Sequence, residues 1–130
     1  MNKKMVDEYL PAAYDALNCE GVVESGGKIK NSYRAHISTF GVMISMGSVL
    51  SAAALFCEGN ENSPASKERL LLAKCIYRII KGKGCENQNN ALFKYVREEV
   101  NKNKERAVKE KMINAAIALK LAMNLYQLVQ

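Results

Sequence analysis

Lys67, Lys74, Arg78 and Lys81 recur at intervals of seven, four and three residues. At about 100° per residue these spacings gather all four side chains into a helical sector of about 60°, in a row about 21 Å long. Such a row of cations is long enough to meet several backbone phosphates, and that electrostatic contact is independent of base sequence. Leu72, Ala73, Ile76, Ile79 and Ile80 fall on the opposite side, so one face packs and the other is basic. A helix back that merely meets solvent usually mixes signs to gain i,i+4 pairs. Here Glu68 is the only acid between Pro64 and Lys81, and the one-signed pattern predicts phosphate binding.

Lys83 carries the row into the following loop, and Lys28, Lys30 and Arg34 form a second basic group. Tyr33 stands among them, with two roles open to it: stacking on a base or filling the edge of the core. The stretch from Lys102 to Lys111 is also rich in cations, but Glu105 and Glu110 interleave with them as on an ordinary solvated helix.

Little in the chain points to catalysis. His36 is the only histidine, and neither a G-x-S-x-G nor an H-E-x-x-H motif occurs. A single histidine near an apolar face reads as a hydrogen-bonded structural residue before it reads as a general acid or base. The segment from Glu20 to Lys28 has the glycines of a phosphate loop, but Ile29 stands where that motif needs a hydroxyl, and no strand precedes it. Cys19, Cys57, Cys75 and Cys85 have no C-x-x-C spacing. They are expected to be free, mostly buried thiols in a reducing cytoplasm, with no metal site and no cofactor. The expectation is a protein that is not an enzyme.

These residues must be carried by helices. Ala, Leu, Lys, Glu, Met and Arg dominate the periodic segments, and runs alternating in the manner of strands are absent. A first helix is predicted from about Met5 to Cys19, with Val6, Leu10, Ala13 and Leu17 inward and Pro11 either kinking it or in its first turn. Gly21, Gly26 and Gly27 mark a loop. Two helices follow between Ile29 and Glu58, breaking near Gly47, and Gly59 can terminate the second. Ser63 followed by Pro64 reads as N-cap and first helical residue of the basic helix, which runs to Lys81. Gly82 and Gly84 open a second loop, a helix from Ala91 to Val100 puts Leu92, Phe93, Val96 and Val100 on one side, and Asn101 and Asn103 break it. The last helix is expected to reach about Leu128 and to be apolar from Met112 onward, with Lys120, Asn124 and Gln127 as a polar strip. The fold class is therefore all-α: a compact bundle of about five to six helices in a single domain over residues 1–130, with a long apolar C-terminal helix.

The 130 residues are enough for one core. Nineteen basic against thirteen acidic side chains, a formal charge of +6, favour polyanionic partners. Asp7 and Glu8 arrive before any apolar run of signal-peptide length, so secretion is not expected. From Ile37 to Cys57 no charge occurs, a length at which a membrane span must be considered. Ser45, Gly47, Ser48 and Ser51 interrupt it, and the break at Gly47 leaves neither half long enough to cross, so a core position is the better explanation.

Tyr33, Phe40, Gly47 and the Ala53–Phe56 sequence Ala-Ala-Leu-Phe lie in one stretch that resembles the small all-helical subunit of the Cmr-type (type III-B) CRISPR effector complex. In that family a tyrosine-led helix runs to a Leu-Pro or Phe-Pro step, then to Asn-Gly-Leu, and ends in Leu-Ala-Phe-Tyr. Gly41, Met46 and Ser48 here depart from the proline, asparagine and leucine of the pattern, and the chain has no tryptophan for the last helix. The resemblance covers most of the chain in layout and about twenty residues in motif. It implies a cytoplasmic subunit without an active site that stacks in several copies beside guide RNA and target RNA, in contact with other effector subunits, in antiviral defence. The alternative reading is a helical protein–protein adaptor whose basic face meets an acidic partner; a membrane-anchored protein is a third.

Overall fold

The computed structural model describes residues 1–58, 62–82 and 88–130. Six helices are present among them: α1 (Lys3–Cys19), α2 (Asn31–Met46), α3 (Val49–Phe56), α4 (Pro64–Lys81), α5 (Ala91–Asn101) and α6 (Glu105–Met123). Two three-residue strands, β1 (Lys28–Lys30) and β2 (Gln127–Val129), join them. Gly59 and Lys83 lie outside the described residues, as does Cys85.

Local chemistry accounts for most boundaries. Asn2 caps α1, its side chain accepting from the Met5 N–H at 3.1 Å. Pro11 sits within α1, exposed to solvent, where it removes one helical hydrogen bond. Ser63 and Pro64 start α4 as expected: the serine hydroxyl accepts from the Ser66 N–H, and the proline occupies the first turn. Asn103, with φ of 62°, turns the chain between α5 and α6.

Gly47 divides α2 from α3 for a steric reason. A Cβ there would stand 2.7 Å from the Met43 carbonyl oxygen, which accepts the Gly47 N–H at 2.8 Å. Ser48 then caps α3 by accepting from the Ser51 N–H. The two helices fold back so that Phe40 and Phe56 meet edge to face, with ring centroids 4.8 Å apart.

One apolar cluster draws side chains from all six helices, including Leu17, Phe40, Phe56, Leu72, Ile76, Leu92, Met112 and Leu119. The most extensive pairing is between α1 and α6. At its outer end, buried Asn114 is satisfied: it accepts from the Asn2 N–H at 2.9 Å and donates to the Glu110 carbonyl at 2.7 Å.

The chain departs from a purely helical design at its last segment. Six of the 19 residues of α6 are charged, and the helix ends at Met123 rather than near Leu128. Leu128 instead pairs with Ile29 in the parallel β1–β2 ladder, beside Lys28 with Gln127 and Lys30 with Val129. No apolar C-terminal helix of the expected length forms, because Ile29 is fully buried and the segment after α6 is drawn into a strand beside it. Gly26, with φ of +81°, makes the tight turn that leads into β1, where the Gly27 N–H donates to the Glu24 carbonyl.

The uncharged run is only half buried. Phe40, Ile44, Val49, Ala52, Ala53 and Phe56 face the core, but Val42 is 56% exposed and Met46 85%. Among the described residues no helix is long and apolar enough to cross a membrane.

Candidate nucleic-acid interface

The packed side of α4 forms largely as the spacing predicts, with Leu72, Ala73, Ile76 and Ile79 buried and Ile80 half-buried. Cys75 is buried with them, and desolvation pushes its thiol well above the ordinary range. Lys67, Lys74, Arg78 and Lys81 line the other side, but their situations differ. Lys67 is exposed and Lys74 half-buried. Lys81 places its ammonium 5.3 Å from the centre of the Tyr95 ring, a cation–π contact that holds it near the end of α4. Tyr95 itself meets Tyr77 edge to face.

Arg78 is already engaged. Its Nε and Nη2 donate to Glu20 at 3.0 and 2.8 Å, tying α4 to the end of α1. It also borders a cavity of about 410 Å³ with Ala12, Asp15, Asn18 and Cys19. Helical periodicity places Arg78 on the basic face but carries no information about Glu20, which comes from another part of the chain.

Glu68 leaves the row one-signed. Its carboxylate meets His36 Nε2 at 3.1 Å across the contact between α2 and α4, both side chains being mostly buried. His36 is thus a hydrogen-bonded residue of a helix contact. Arg69 also turns from the basic row: it donates to the Ser66 hydroxyl at 3.1 Å and lies 3.7 Å from Glu58.

In the second group, Lys28 and Lys30 project from the exposed side of β1 while Ile29 points inward. Lys30 stands 3.8 Å from Glu24. Arg34, one turn into α2, donates to the Asn124 side chain. Tyr33 does not serve as a stacking surface: it is 7% exposed, and burial, with the charges of Glu68 and Glu24, pushes its phenol up to about 12. Tyr33 belongs to the apolar core, with Glu68 and Cys75 of α4 among the groups near it.

The thiols are less buried than expected. Cys19 is exposed, Cys57 half-buried and Cys75 buried, and none of the three is in a disulfide. No group of three or more His, Cys, Asp or Glu side chains suited to a metal ion occurs among the described residues.

Two features have no counterpart in the sequence pattern. Tyr14 of α1 and Tyr126, just before β2, stack with centroids 5.1 Å apart and planes 15° from parallel. Val42 and Met46 of α2 lie beside Ile113, Ala116 and Ile117 of α6 along a groove of about 430 Å³. Lys120 at the end of that groove donates to the Ser38 hydroxyl at 2.9 Å. The first feature needs a residue more than a hundred positions away, and the second needs the α2–α6 packing, so periodicity within one helix reveals neither.

These features define a helical protein with a basic row on one helix and an uncharged, partly apolar face elsewhere. No protein-family model matches the chain, and neither a curated protein nor a solved structure does.

Proposed function

We propose that this chain is a non-catalytic small subunit of a type III-B CRISPR ribonucleoprotein effector, acting in the cytoplasm in antiviral defence. It contacts the phosphate backbone of guide and target RNA through Lys67, Lys74 and Lys81, with Lys28, Lys30 and Arg34 as a second group. The observation that carries the RNA-binding reading is the turning of Glu68 to His36, which leaves the outward row of α4 without an acid of its own. The assignment to that effector class rests on the resemblance between Tyr33 and Phe56.

Stacking of copies has its own support. In a chain of formal charge +6, like-charge repulsion opposes self-association over most of the surface. The groove beside Val42 and Met46 has Lys120 as its only charged lining residue among the described residues, and that lysine is bonded to Ser38. Two copies, or a neighbouring effector subunit, meet there at low electrostatic cost. In the second reading, a helical adaptor, the basic row of α4 meets an acidic protein in place of RNA.

Filter binding of single-stranded RNA over a salt series tests the proposal. Wild-type affinity is expected to fall steeply with salt, and Lys67→Glu with Lys74→Glu to weaken it and flatten the slope by about 0.7 for each phosphate no longer neutralised. Unchanged affinity would reject the assigned face. Partner association that survives nuclease and needs no RNA would favour the adaptor.

A further inference from the structure

Between the two basic groups lies a surface that the phosphate contacts leave unused. Asn18 borders the Arg78 cavity and donates its amide to the Tyr126 hydroxyl. Tyr126 stacks on Tyr14 and adjoins Gln127, the ladder partner of Lys28. A continuous path therefore runs from Arg78 through Asn18 and the tyrosine pair to Lys28.

Tyr14 is 40% exposed, which leaves part of its ring open to solvent. Its ring is braced from behind by Tyr126, whose hydroxyl accepts from the Asn18 amide. A rigid aromatic plane of this kind accepts a base at little entropic cost. Asn18 lies beside the pair through that hydrogen bond, and exposed Gln127 follows Tyr126 in the chain; both are amides able to donate to and accept from base edges. Asp15, next to Tyr14 in α1, lines the Arg78 cavity, whereas Lys28 on the other side is exposed on β1.

We infer that the Tyr14–Tyr126 pair is a stacking site for one nucleobase of single-stranded RNA whose backbone passes between α4 and β1. The inference rests on the RNA-binding reading above and adds to it a contact that phosphate charge does not supply. It distinguishes single strands from duplexes, because a base inside a duplex has both faces stacked on its neighbours.

The test is photocrosslinking with single-stranded RNA containing 5-iodouridine, followed by peptide mapping, together with filter binding. The crosslink is expected at residue 14. Tyr14→Leu should weaken single-strand binding about fivefold or more with the salt slope unchanged, while Tyr14→Phe should restore both affinity and crosslink. Circular dichroism establishes that each variant keeps its helices, which an exposed position predicts. If Tyr14→Leu binds like wild type and crosslinks map elsewhere, the stacking site is overturned while RNA binding stands. If wild-type protein binds no RNA at any salt concentration, both readings fall.

Discussion

Arg78 and Glu20 meet through two guanidinium hydrogen bonds to a single carboxylate oxygen, at 3.0 and 2.8 Å, with the Arg78 side chain 24% exposed and that of Glu20 11%. The pair locks the end of α1 against α4, so Arg78 has a structural role even though it lies on the basic row. Arg78→Leu leaves a mostly buried carboxylate without these donors and is expected to cost about 2 kcal/mol. Arg78→Glu adds a like charge beside Glu20 and should cost more. Urea titration of the two variants checks the order; equal stability to wild type would show that the pair is not structural. Charge reversal at Lys67 and Lys74 is consequently a cleaner probe of RNA binding than reversal at Arg78.

Gly47→Ala should be destabilising by about 1–3 kcal/mol, because the added Cβ presses on the Met43 carbonyl and the helix ends cannot part without moving Phe40 from Phe56. Gly41→Ala is the control. A Cβ at Gly41 meets nothing within 4 Å, and replacing a helix-interior glycine should leave stability unchanged or improve it. Thermal melts should therefore fall for Gly47→Ala and stay level or rise for Gly41→Ala.

Alkaline pH should unfold the protein through its phenols. Tyr33 and Tyr95 are held up to about 12 chiefly by burial, against an ordinary value of 10.0. A folded pKa above the unfolded one means that the associated stability is fully present below about pH 10 and is lost as pH rises through 12. Phenolate absorbance should lag behind that of free tyrosine until unfolding. Tyr33→Phe should reduce the loss of stability over this window, and an identical alkaline transition would count against Tyr33 as a contributor.

How far the sequence reaches depends on the range of each interaction. The Ser63–Pro64 start of α4, the break at Gly47 and the turn at Gly26 follow from residues adjacent in the chain, and periodicity exposes the buried side of α4. The fate of Leu128 depends on Ile29, that of Arg78 on Glu20, and that of Tyr14 on Tyr126. Local propensity around Leu128 favours a longer α6, but a buried strand partner from the opposite end of the sequence overrides it. The candidate site is legible as a row of cations. Its modulation by Glu20, Tyr95 and Asn124 is not, because each partner comes from another part of the chain.

The pairing of α1 with α6 also has a consequence in time. Val6, Ala13, Ala16 and Leu17 emerge early in synthesis, but the helix that covers them most extensively is complete only at Met123. Throughout that interval the nascent chain presents an apolar stripe with its principal cover still unmade, so closing the bundle is a late, non-local event. A chain stopped before α6 therefore leaves the Val6–Leu17 side of α1 without the partner it packs on most.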